Sequence, residues 1–130
     1  MYKIKKNVLE DLLEACTHVY PKEFLALIGS TLENEVIDEY VVLPADYGDN
    51  FSAVYLNMKP FDRTIIGSVH SHPSQSNKPS AGDLQSFPKY GRIHLIIAYP
   101  YFIQSIAMYD SKGNELLFEV VKWKKKRKFS

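Results

Sequence analysis

Two of the four histidines, His70 and His72, stand one residue apart, and a Ser-x-x-Asp running from Ser80 to Asp83 comes after a proline-punctuated stretch. Side chains two apart on a strand point to the same face, so an extended His-x-His presents two imidazoles side by side. Neutral imidazole is a favoured zinc ligand. By itself, the pair suits a solvated strand end as well as a metal site.

The residues beyond the pair narrow the choice. Pro73 stops the strand, and Ser74 to Pro79 is polar. Ser80 and Asp83 have the spacing of a capping box, with Ser80 as N-cap and Asp83 near the third helical position. The same Asp83 could turn back toward the histidines as a carboxylate ligand, since the ten residues after His72 allow a loop to close that distance. Both roles can hold at once if Ser80 begins the helix that positions Asp83. Three protein ligands with no evident fourth describe a catalytic zinc site, in which water fills the open position. Zinc brings the pKa of that water toward about 7, and a base must still carry its proton. Glu23, at the leading edge of an apolar run, is the candidate, because a carboxylate there is costly without a partner. A solvated strand-end glutamate fits Glu23 equally well when it is judged alone.

Other zinc frameworks fit worse. A deaminase needs Pro-Cys-x-x-Cys, and the chain has one cysteine, Cys16. Helical His-Glu-x-x-His is absent. Ser74 and Gln75 stand where the metallo-β-lactamase pattern requires an aspartate and a histidine.

These residues need a scaffold. Asn7 is a good N-cap for a first helix whose face is Val8, Leu9, Leu12, Leu13 and Ala15. His18 near its end suits the helix dipole. Phe24 to Ile28 reads as a strand buried on both faces. Val36 to Leu43, Phe51 to Leu56 and Thr64 to Val69 are further strand candidates, the last leading straight into His70. Ser80 to Phe87 reads as a short helix cut by Pro88, and Ile93 to Ala98 as a central strand. Ile103 to Tyr109 and Leu116 to Val121 flank Ser111-Lys-Gly-Asn114, a hairpin signal. The total is about seven strands and two helices, a mixed-sheet α/β domain with helices packed on the sheet.

At 130 residues the chain suits one domain with its own core. The single cysteine rules out an internal disulfide and a Cys-x-x-Cys redox pair. No signal-peptide stretch or membrane span is evident, so a soluble, cytoplasmic protein without a membrane partner is expected. Net charge is +1, which argues against whole-molecule binding of nucleic acid. The expected organisation is a domain over residues 1–121 and a basic tail over 122–130. Six of the seven residues from Lys122 to Lys128 are positive, as in a solvated terminus.

Glu23, then His70-Ser-His72-Pro73, then Ser80-x-x-Asp83 resembles the signature of the JAMM, or MPN-plus, zinc metalloproteases. Its elements are Glu, His-x-His-Pro, and Ser-x-x-Asp, with ten residues between the second His and the Asp. Length and element order resemble a minimal archaeal member. One departure is that Ser30 occupies the seventh position after the Glu, where many relatives carry Gly; Gly29 precedes it. The resemblance implies an MPN (JAB) fold, a cytidine-deaminase-like mixed sheet flanked by helices. It implies one Zn2+ per chain on His70, His72 and Asp83, with Glu23 as general base and acid and Ser80 stabilising the oxyanion. The implied substrates are ubiquitin-like β-grasp proteins and their conjugates, cut after a C-terminal Gly-Gly. Processing the tail of a sulfur-carrier protein, or a non-catalytic scaffold, are the alternatives. A Gly-Gly tail offers no side chains, so capture by backbone pairing is expected, with Tyr47–Phe51 and Asn57–Arg63 as candidate walls. His94 could approach the site but suits a satisfied core histidine better.

Overall fold

A computed structural model describes residues 1–32, 35–43 and 64–122. In chain order these form β1 (Tyr2–Lys5), α1 (Lys6–Val19), β2 (Leu25–Gly29), β3 (Val36–Ile37), β4 (Glu39–Val42), β5 (Ile65–His72), α2 (Ala81–Tyr90), β6 (Ile93–Ala98), a 3-10 turn (Ile103–Ser105), β7 (Ile106–Asp110), β8 (Glu115–Leu116) and β9 (Phe118–Val121). The main sheet has the order β4-β2-β5-β6-β7-β8. Among the described residues, only β5 and β6 pair in parallel within it. A parallel neighbour requires a crossover, and α2 lies in the connection that makes it.

Alternation along the strands sorts the residues into two layers. Ala26, Ile28, Val69, Leu95, Ile97 and Met108 face α1 and pack with Val8, Leu9, Leu12 and Cys16. The opposite face carries Ser68, His70 and His72 on β5, with His94 and Ile96 beside them on β6. Phe87 of α2 packs there against Ile96, Ala107 and Tyr109. Tyr90 packs against Leu27 and Leu43. The expected mixed sheet flanked by two helices is what forms.

Glycine permits two close approaches. A Cβ on Gly67 would overlap the Ile93 carbonyl across the β5–β6 pair, and Gly91 ends α2 at a φ of 140° that side chains rarely adopt.

Several expectations are corrected. Asn7 is not the N-cap: α1 starts at Lys6, capped by Lys5 without a side-chain hydrogen bond. The chain enters α1 directly from β1, a charged strand that local pattern does not announce. Val36 to Leu43 is not one strand. It breaks at Asp38, whose carboxylate takes the Thr31 amide at 2.9 Å and also the Thr31 hydroxyl. On one side of that break β3 joins β1 and β9 in a second, three-stranded sheet, and on the other β4 joins the main sheet. Leu116 to Val121 splits similarly at the exposed Leu117, so the described residues hold nine strands. Residues 103–105 form a turn before β7 rather than its first part.

Pro88 does not cut α2, which continues to Tyr90. An interior proline costs about 3 kcal/mol or more; burial of Phe87 and Tyr90 in the last turns offsets this. The hairpin forms as expected, with the Asp110 carboxylate accepting from the Lys112 and Asn114 amides at 2.9 Å each. The Phe51–Leu56 strand candidate and residues 123–130 of the tail lie outside the described residues.

Candidate metal centre

Strand β5 ends on the two histidines, and its alternation aims both toward α2. The intervening Ser71 points to the other face, fully buried. Its Oγ accepts the Phe24 amide at 2.7 Å, and its own amide donates to the Phe24 carbonyl at 3.0 Å. The thiol of Cys16 also bonds to Ser71, and burial pushes that thiol up to about 12, leaving it protonated. Ser71 thereby clamps the leading end of β2 to the strand that bears the histidines. Sequence reasoning passed over it, although a polar residue between two same-face neighbours on a buried strand must face the core and find a partner.

His72 has its tautomer set by its surroundings. Its Nδ1 lies 2.8 Å from the Ser76 carbonyl, which can only accept, so Nδ1 carries the hydrogen and Nε2 keeps its lone pair. That Nε2 lies 3.2 Å from Nε2 of His70. Asp83 closes the figure, with Oδ1 at 3.2 Å from His70 Nε2 and Oδ2 at 3.2 Å from His72 Nε2. His70, His72 and Asp83 form the only such potential cation-holding cluster among the described residues.

Asp83 caps α2 and lies beside the histidines at the same time. Its amide donates to Ser80 Oγ at 3.1 Å, and its Oδ2 accepts the Ser80 amide at 2.9 Å. The carboxylate therefore starts α2 and faces the histidines at once. Partial burial works to raise its pKa, yet the hydrogen bond and field of His70 and the bonds from Ser80 outweigh it. The carboxyl is held well below the usual range and stays ionised.

The donor set fits a zinc ion on its own chemistry. Bonds of about 2.0–2.1 Å from a tetrahedral ion to its ligands place those ligands about 3.3 Å apart, close to the 3.2 Å separations here. Two nitrogens and an ionised oxygen turned toward one point are also what a cation compensates.

Glu23 is exposed, two residues ahead of β2. The antiparallel register pairs Leu25 with His70, and the Phe24–Ser71 bonds carry the pairing one residue further. Phe24 is buried in the α1 layer, and the cluster of His70, His72 and Asp83 does not include Glu23. Glu23 lines a cleft of about 790 Å³ with residues from the end of α1, Phe24, and Val42 and Leu43 at the end of β4. Ser80 is exposed at the N-terminus of α2, its Oγ engaged as an acceptor from the Asp83 amide.

The remaining histidines are accounted for differently. His18 is exposed and lies 3.5 Å from Glu14, one helical turn away. His94 is fully buried beside the site rather than in it. Its Nε2 lies 3.1 Å from the Gly91 carbonyl and 3.2 Å from Ser111 Oγ, while its Nδ1 lies 2.8 Å from Ser68 Oγ. Because the carbonyl only accepts, Nε2 carries the hydrogen and the Ser68 hydroxyl donates to Nδ1. Burial pushes the pKa of His94 down to about 4, so it stays neutral at physiological pH. Tyr47–Phe51 and Asn57–Arg63, the candidate walls, lie outside the described residues.

With this geometry in place, the comparisons with known proteins decide the family. Residues 5–109 match the model for prokaryotic homologs of the JAB domain. The chain belongs to that family. A "probable metalloprotease" of Haloferax volcanii is 31% identical over 119 residues, spanning 85% of this chain and 73% of the relative. A JAB1/MPN domain protein of Archaeoglobus fulgidus is 36% identical, with a TM-score of 0.75 over 92% of this chain and 99% of its own. A structure described as a metalloprotease-like JAMM zinc site in the proteasome and signalosome is 35% identical, with a TM-score of 0.74 over 94% of this chain and 99% of its own. A Desulfitobacterium hafniense protein, 19% identical with a TM-score of 0.64 over 95% of this chain and 94% of its own, shares the JAB fold. Among the described residues no helix is long and apolar enough to cross a membrane.

Proposed function

We propose that this JAB-family chain is a zinc-dependent peptidase that removes ubiquitin-like β-grasp proteins from amines by cutting after a C-terminal Gly-Gly. The observation that carries the reading is the convergence of His70, His72 and Asp83 at 3.2 Å separations. The metalloprotease name of the Haloferax relative and the zinc site named for the JAMM structure support it.

His70, His72 and Asp83 would hold the ion. Bound there, zinc would supply a Lewis acid that polarises the scissile carbonyl and acidifies water. Glu23 takes a proton from water as its oxygen adds to the carbonyl carbon, then gives that proton to the departing nitrogen as the C–N bond breaks. Exposure leaves Glu23 open to solvent for both steps. Ser80 donates its hydroxyl hydrogen toward the developing oxyanion, worth about 3–4 kcal/mol by analogy with oxyanion-hole donors. The Ser76 carbonyl holds the His72 ring so that Nε2 faces inward.

A Gly-Gly tail must be gripped through its backbone. Two features suit this. The cleft that Glu23 lines runs to Val42 and Leu43, and β4 is the terminal strand of the main sheet among the described residues.

The test is cleavage of a β-grasp protein joined to lysine through its Gly-Gly terminus, set against the same protein carrying a linear extension. The expected result is isopeptide cleavage that chelation abolishes and zinc restores. Exclusive cleavage of the linear form would replace this reading with tail processing, and undiminished cleavage by Glu23→Gln would refute the mechanism.

A further inference from the structure

Asp83 reaches the histidines from a different element, so the ligand geometry depends on how α2 is seated. Asp83 and Phe87 are one turn apart and share a face of α2. The Phe87 ring lies flat on the ring of His94, with centroids 4.1 Å apart and planes 2° from parallel. His94 is in turn fixed from three sides. Ser68, two residues before His70 on the same face of β5, holds its Nδ1. Gly91, which ends α2, and Ser111, in the turn after β7, hold its Nε2. The Ser111 hydroxyl also donates to the Gly91 carbonyl, closing the ring of contacts.

A phenylalanine at position 94 would fill the space at lower desolvation cost, since a buried imidazole is unfavourable unless its nitrogens are bonded. What an imidazole adds is edge bonding during face stacking. It ties the strand bearing the histidines to the end of the helix bearing the carboxylate, while its face supports the residue one turn from that carboxylate.

We propose that His94 is a positioning residue for the metal centre, seating α2 through Phe87 and Gly91 so that Asp83 meets His70 and His72 at ligand distance. This rests on the reading that the cluster holds zinc. Supporting residues of metal ligands typically contribute about 10–100-fold in metal affinity.

The experiment measures zinc dissociation constants by competition with a chromophoric chelator for the wild-type chain, His94→Gln, Phe87→Leu and Leu95→Ala. His94→Gln keeps a donor and an acceptor but loses the ring, and Phe87→Leu keeps apolar volume but loses the stack. Leu95 packs in the α1 layer of the same strand, so Leu95→Ala controls for general destabilisation. The thermal midpoint of each chelated protein is recorded alongside. The expected result is zinc binding weakened about tenfold or more in His94→Gln and Phe87→Leu, with wild-type affinity in Leu95→Ala despite its lower midpoint. Wild-type affinity in either of the first two, or an equal loss in Leu95→Ala, would overturn the proposal. Those outcomes leave the zinc reading standing, whereas a wild-type chain that binds no zinc would overturn both.

Discussion

The two faces of the main sheet are built from the same strands yet do different work. Toward α1, β5 presents Val69 and the buried Ser71 to a layer closed by Leu9, Leu12 and Cys16. Toward α2, it presents Ser68, His70 and His72 to a shorter helix with two buried residues, Phe87 and Tyr90. One helix is held by a broad apolar contact; the other adds a capping box, a ring stack and polar bonds to the smaller apolar clusters at Phe87 and Tyr90. The α1 layer supplies stability; the α2 layer places polar atoms. A period of two lets one strand serve both without compromise.

That division can be broken from either side. The largest effect is expected at the site: Glu23→Gln should lower the turnover of a conjugate about 10²–10⁴-fold, with zinc affinity and thermal midpoint unchanged. Comparable losses in all three quantities would place Glu23 in the scaffold. Its mirror image is Leu12→Ala in the α1 layer. Denaturant unfolding of that variant should show a loss of about 2–5 kcal/mol, while the folded fraction binds zinc as the wild type does. Weaker binding there would mean that the faces are coupled.

Acid gives an intermediate effect. His94 is neutral when folded and titrates near 4, against an ordinary value of 6.5. Below about 6.5 the unfolded chain therefore takes up a proton that the folded chain refuses, so stability falls as pH drops from about 6.5 to about 4. The loss for the chelated protein is on the order of 3 kcal/mol, and His94→Gln should flatten that slope in thermal melts across this range. Asp83 has the opposite reason for acid sensitivity. Its depressed carboxyl pKa stabilises the folded chain above the ordinary carboxylate value, and that support fades only as pH falls through the folded value, beyond the His94 window. The smallest expected effect on stability is that of Ser80→Ala, about 1 kcal/mol from the lost cap, which Ser80→Thr should restore.

Much of this was legible in the sequence because it follows from local rules. The His-x-His on a strand, the Ser80–Asp83 capping box, the buried β2 and β6 and the hairpin at Ser111–Asn114 all rest on short-range spacing. The features that escaped reading depend on distant partners. The charged β1 is a strand only because β3 and β9 flank it, with Lys3 opposite both Val36 and Glu119. The breaks at Asp38 and Leu117 mark passages between sheets, which alternation within one segment cannot reveal. Pro88 stays helical because Phe87 and Tyr90 are anchored in different clusters on either side of it. Ser71 and His94 read as ordinary residues until the register sets them beside Phe24, Ser68 and Phe87.

The central claim is that His70, His72 and Asp83 share one ion. Anomalous diffraction at the zinc edge, from crystals grown with stoichiometric zinc, addresses it directly. One peak about 2.1 Å from both Nε2 atoms and an Asp83 oxygen is expected. A peak elsewhere, or no peak between these three side chains, would contradict the account.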